Sequence, residues 1–195
     1  MGQSDDQRPT VLRRPLSYAA SLQHRSLNAI DLVVIHCTEL PDLAMAREFG
    51  ERVVYESSGT GNSGHYYLDR DGRVEEWVPP DRIAHHTRGF NERSVGIELV
   101  NTGRYPDWFD SKRQQMTEPY RPQQVRALIG LLLMMQHELP SLRWMAGHES
   151  LDTEEVVSSD SPDVLIRRKR DPGPLFPWDT VTDSVDLRRL QPPAP

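Results

Sequence analysis

Residues 31–39 read DLVVIHCTE. Leu32, Val33, Val34 and Ile35 form an unbroken apolar run rich in β-branched side chains, which predicts a strand buried on both faces. His36 stands at the end of that run. A rigid strand end fixes an imidazole well enough for metal binding. A core or surface histidine without such a role fits the same position. Cys37 alternates to the opposite face and reads as a small buried hydrophobe rather than a ligand.

Outward from this strand, Asp42–Val54 carries apolar residues at helical spacing, with Asp42 placed as an N-cap. Residues 57–64 (SSGTGNSG) are loop by composition. His65–Leu68 and Val74–Val78 flank an Asp71-Gly72 turn and predict a hairpin. Ser94–Val100 (SVGIELV) predicts a further strand. Its internal Gly96 marks either a bulge or the close approach of another group. Residues 122–139 form the clearest helix, with Pro122 in the first turn and Val125, Leu128, Ile129, Leu132 and Met135 along one stripe. Leu142–Met145 predicts a short strand leading to Gly147-His148. The acidic, serine-rich stretch 151–164 is expected as an exposed loop, and Asp179–Leu190 as a closing helix. The order of elements predicts an α/β fold with a central mixed β-sheet flanked by helices. The domain is expected over residues 29–190, after a polar arm at 1–28 that packs through Leu16, Tyr18 and Leu22. A frayed tail is expected at 191–195.

The chain has 195 residues and a net charge of -6, which argues against a nucleic-acid partner bound by phosphate neutralisation. One cysteine rules out an intrachain disulfide and fits a reducing compartment. The most apolar run, Ala127–Met135, is too short to cross a bilayer, so no membrane partner is expected. The polar start has no apolar leader core, which points to a cytoplasmic location.

His36 and His148 both stand at strand ends, and Asp171 follows in an Asp-Pro-Gly-Pro turn. Two histidines and a carboxylate leave tetrahedral zinc one open position, as in a catalytic site. Ligands so far apart carry no fixed-interval signature, so on spacing alone Asp171 is equally an ordinary turn residue. The blocks IHCTE, GHYYLDRDGRVEEWVPPDRIAHH, SVGIELVNTG, GHESL and KRDPGPLFPW occur in order from His36 to Trp178. In these blocks the chain resembles the zinc-dependent N-acetylmuramoyl-L-alanine amidases. The branch is the one shared by anhydromuramyl-peptide amidases, phage lysozyme-type amidases and peptidoglycan recognition proteins.

The resemblance implies an amidase/peptidoglycan-recognition-protein-like fold and zinc held by His36, His148 and Asp171. It implies Glu98 as the residue that activates water and Lys169 as the cation facing the oxyanion. It places His86 at the substrate and His65 in support of the site. The implied reaction is hydrolysis of the amide between the lactyl group of muramic acid and L-alanine, with peptidoglycan or a muropeptide as partner. His85 stands where the family usually has tryptophan, which removes a stacking contact. The segment between His148 and Lys169 is longer than in close relatives. It is either a solvated insertion or a cover for the cleft. Arg167, Arg168 and Arg170 are either a solvated cluster or, with Arg170 the candidate substrate contact, a site for peptide carboxylates. A non-catalytic peptidoglycan-binding module is the alternative function. Retention of Glu98, Lys169 and the three ligands favours an enzyme. Oligomeric state stays open at this level.

Overall fold

The run before His36 forms a strand, Leu32–Cys37, with all six residues buried. In the computed structural model, which describes residues 8–190, it lies inside a seven-stranded mixed sheet. In chain order the strands of that sheet are β1 (Val11–Arg13), β2 (Leu32–Cys37), β3 (Tyr66–Leu68), β4 (Val74–Glu76), β5 (Ser94–Leu99), β6 (Trp144–Gly147) and β9 (Arg188–Arg189). Their spatial order is β1-β4-β3-β5-β2-β6-β9. Only the β3–β4 hairpin pairs antiparallel, and every other pairing is parallel.

Alternation along the strands sorts their side chains into two layers. Val33 and Ile35 of β2, Val95, Ile97 and Leu99 of β5, and Tyr66 and Leu68 of β3 pack on α2 (Pro122–Glu138) through Leu128, Leu131, Leu132 and Met135. Gln124 is buried in this helix, and its amide donates to Leu68 O at 3.1 Å and Val100 O at 3.0 Å. Those two bonds satisfy carbonyls where β3 and β5 end. The opposite face of β2 and β5 carries His36, Gly96 and Glu98.

On that face Leu43 and Ala46 of α1 (Leu43–Gly50) meet Leu16, Tyr18, Leu22 and Trp77. Asp42 caps α1, accepting from Met45 N at 2.8 Å. The helix stops at Gly50, and Val53 and Val54 lie exposed beyond it. The stretch read as a polar arm joins the sheet from Val11 onward, where β1 pairs with β4. The buried Arg25 guanidinium donates to the carbonyls of Pro80, Asn91 and Ser94, tying this stretch to the loop before β5.

Two expectations change. Residues 151–164 are not simply loop: β7 (Glu155–Val157) pairs antiparallel with β8 (Leu165–Arg167). Val156 and Ile166 face each other there, and Ile166 is buried beneath the hairpin. The closing helix is short: α4 (Trp178–Thr182) gives way to a turn and then β9. Ser184 Oγ donates back to Thr180 O, the kind of local bond that competes with helix propagation. Arg188 N and Leu190 N then donate to Arg143 O and Met145 O along β6. Residues 191–195, expected to fray, lie outside the described residues.

Candidate active site

β2 and β6 are neighbours and run parallel, with Ile35 opposite Gly147, so His36 and His148 emerge at the same end of the sheet. His148 opens the single-turn helix α3 (His148–Leu151). Asp171 arrives from the loop after β8. An added Cβ at Gly147 would stand 2.9 Å from Pro172 Cδ. The bare glycine lets the Asp171-Pro172 segment lie against the strand. Glu149 N donates to Asp171 O at 2.9 Å and fixes that approach.

Asp171 Oδ2 lies 2.9 Å from His36 Nδ1 and 3.1 Å from His148 Nδ1. All three residues are buried, and their ligand atoms lie within 4.8 Å of one another. Asp171 Oδ1 and His148 Nε2 are buried with no hydrogen-bond partner. The two Nδ1 atoms and the Asp171 carboxylate, whose Oδ1 has no other partner, fit a catalytic zinc and leave it an open position. Burial, then the neighbouring His148, pushes His36 down to about 4. That ring is therefore neutral at physiological pH, as a metal ligand must be. Burial acts to raise Asp171, but the His148 and His36 contacts prevail and hold it well below the usual carboxylate range.

Glu98 pairs in register with His36 across β2 and β5, on the same face, and its Oε1 lies 4.0 Å from His36 Nδ1. Burial, then the Asp171 charge, raises Glu98 to about 8, with Lys169 pulling the other way. Lys169 lines the same cleft of about 550 Å³ as His36, Glu98, His148 and Asp171.

His86 lines the cleft and also supports His36. Its Nδ1 lies 3.0 Å from His36 Nε2 and 2.9 Å from Thr87 Oγ1, and its Nε2 lies 3.2 Å from Ser94 Oγ. With both ring nitrogens engaged, His86 holds His36 with Nδ1 toward Asp171, the outer-shell role that fixes a ligand tautomer. Gly96 makes room for it: an added Cβ there would stand 2.6 Å from His86 Cγ. Close approach, not a bulge, explains that glycine. His65 lies deeper, accepting from Gly96 N at 3.0 Å.

Arg170 is not among the residues that line the cleft, and its charge acts on Glu149 instead. The arginines on the cleft wall are Arg88, Arg104 and Arg168. Sequence reasoning missed the Arg104–Glu39 pair. Arg104 Nε and Nη2 each donate to the Glu39 carboxylate at 2.7 Å, and Nη1 and Nη2 reach the carbonyls of Arg167 and Arg168. This buried pair secures the backbone just before Lys169. No local pattern marks it, because the partners lie 65 positions apart in sequence.

Residues 26–174 match the model of the N-acetylmuramoyl-L-alanine amidase family, Amidase_2. The chain is 33% identical over 114 residues to the N-acetylmuramoyl-L-alanine amidase AmiD of Escherichia coli K12, a match covering 54% of this chain and 36% of AmiD. It is 33% identical over 109 residues to the endolysin of Enterobacteria phage K11, covering 49% of this chain and 68% of the endolysin. The chain thus spans about a third of the length of AmiD and two thirds of that of the endolysin. The solved endolysin amidase LysCS from Clostridium intestinale superposes with a TM-score of 0.63 at 20% identity, over 92% of this chain and 97% of that one. AmiD does so with a TM-score of 0.60 at 23% identity, over 80% of this chain and 57% of its own. The matched region runs from before β2 through Asp171 and contains every residue of the cluster described above, so the chain belongs to the N-acetylmuramoyl-L-alanine amidase family.

Proposed function

We propose that this chain is a zinc-dependent hydrolase of the amide between the lactyl group of muramic acid and L-alanine, in peptidoglycan or soluble muropeptides. The observation that carries this reading is the buried convergence of His36, His148 and Asp171 with Glu98 in register beside them. His36, His148 and Asp171 would hold zinc, which when bound supplies a Lewis acid for the scissile carbonyl and acidifies water.

The remaining work falls to the protein. Glu98, on the same face as His36 and 4.0 Å from its ring, takes the proton of the attacking water and passes it to the leaving nitrogen. Lys169 offsets the negative charge that develops on the carbonyl oxygen. His86, Thr87 and Ser94 keep the His36 ring in one orientation. The cleft offers Phe49, Tyr55, Tyr67 and Trp108 among its polar groups, a mixed lining suited to a sugar-peptide. AmiD has been solved with the substrate anhydro-N-acetylmuramic acid-L-Ala-D-gamma-Glu-L-Lys, and a muropeptide of this type is the substrate proposed here. Elemental analysis of the purified protein tests the metal set. Wild type is expected to retain zinc and Asp171→Ala to lose it. Equal zinc in both would refute the ligand assignment.

A further inference from the structure

The mouth of the cleft carries a charge arrangement that the reaction above does not use. Arg88 follows Thr87 on the loop of His86, Arg168 precedes Lys169, and both line the cleft. Glu154 Oε2 lies 2.9 Å from Arg88 Nη1 and 2.9 Å from Arg168 Nε. Two guanidiniums from separate segments therefore meet on one carboxylate oxygen. Arg168 is also anchored from elsewhere, since Asp152, itself buried, pairs with its Nη2. Its backbone N–H donates to Glu154 O at 2.9 Å, which fixes the Glu154 backbone as well. Arg168 Nε is buried beside the Glu154 carboxylate and makes no well-angled bond to it, so Glu154 leaves this donor unsatisfied.

The occupant is held more loosely than its site. The side chains of Arg88 and Glu154 are 72% and 47% exposed, and an ion pair so open to water contributes little. The Glu154 carboxylate can leave at small cost while Arg168 stays in place. We propose that Arg88 and Arg168 form a carboxylate-binding subsite at the cleft mouth, filled by Glu154 in the free protein and by a free carboxylate of the substrate's peptide in the complex. Planar guanidiniums suit this exchange because they bind carboxylates with charge-assisted bonds of defined geometry. The substrate class rests on the amidase reading. In the peptide solved with AmiD, the γ-linkage of the glutamate leaves its α-carboxylate free one residue beyond L-Ala.

The test uses paired muropeptides that differ only in that position, as free acid or carboxamide. KM for each is measured with wild type, Arg88→Gln and Glu154→Gln, and the readout is the preference for acid over amide. Wild type is expected to prefer the acid. Arg88→Gln is expected to cut the preference by about tenfold, the scale of one charge-assisted hydrogen bond. Glu154→Gln removes the competing charge and is expected to raise the preference. An unchanged preference in Arg88→Gln overturns the proposal. A lowered preference in Glu154→Gln also overturns it, because Glu154 would then order the guanidiniums rather than compete for them. Calorimetric binding of the free tripeptide L-Ala-γ-D-Glu-L-Lys and its amide gives the same comparison without hydrolysis. No turnover with preference retained in binding would count against the amidase reading alone. Equal binding of acid and amide would overturn the subsite whatever the turnover.

Discussion

Gly96 and His86 show how one missing side chain supports a site. With no Cβ at residue 96, the His86 ring fits between β5 and His36. Thr87, Ser94 and His36 enclose that ring, so it has little room to move. Gly96→Ala is expected to cost about 1–3 kcal/mol through overpacking. It should also weaken zinc retention by about 10- to 100-fold as His36 loses its support. Urea melts and chelator competition measure the two effects, and no change in either would mean that the ring shifts freely. In the proposed reaction Lys169 acts by charge rather than by ligation. Lys169→Ala is expected to keep its zinc and to lose about 10²- to 10³-fold in turnover, as for other oxyanion donors. Unchanged turnover on a muropeptide would assign Lys169 to the solvated basic run.

Among the elements, a bidentate pair ties the excursion between β5 and α2 to the β3–β4 turn. Arg70 Nε and Nη2 donate to Glu118 Oε1 and Oε2 at 2.6 and 2.9 Å, and Thr102 N donates to Glu118 Oε2 at 2.6 Å. Burial works against the Glu118 charge, but these bonds prevail and lower it to about 2. A carboxyl depressed in the folded state contributes stability above its unfolded pKa of about 4.3 and loses it as pH falls through the folded value. Wild type is expected to exceed Glu118→Gln in unfolding free energy at pH 7, with the gap closing between about pH 4.5 and pH 2. Urea melts across that range check this, and a gap constant with pH would contradict it. Elements with a strong period were readable from the chain: β2 by its apolar run, α2 by its stripe, the β3–β4 hairpin by Asp71-Gly72. The β7–β8 hairpin was hidden because its strands have three residues each, too short to show alternation among acidic and serine residues. The chain after α4 was misread because Val181, Val185 and Leu187 mimic a helical stripe. Pairing with β6 claims its end instead.

Over the whole molecule, parallel pairing of β5, β2 and β6 gathers residues that are distant in sequence. His36 and Asp171 are separated by 135 positions yet meet at 2.9 Å. His36, Glu98, His148, Lys169 and Asp171 stand out in the sequence through their short motifs. Their convergence was not, because spacing along the chain carries no distance. The Arg104–Glu39 pair and the turning of His86 toward His36 had no local signal, since each depends on strands packed from separate parts of the chain. In the proposed reaction this arrangement hydrolyses the lactyl–L-alanine amide with Glu98 as the base. Mass spectrometry of a defined muropeptide, incubated with zinc-loaded wild type and with zinc-loaded Glu98→Gln, tests it most directly. Wild type is expected to release a peptide with a free L-alanine amino terminus, and Glu98→Gln to do so about 10²- to 10⁴-fold more slowly. Intact muropeptide after incubation with zinc-loaded wild type, or hydrolysis by Glu98→Gln at the wild-type rate, would contradict the account.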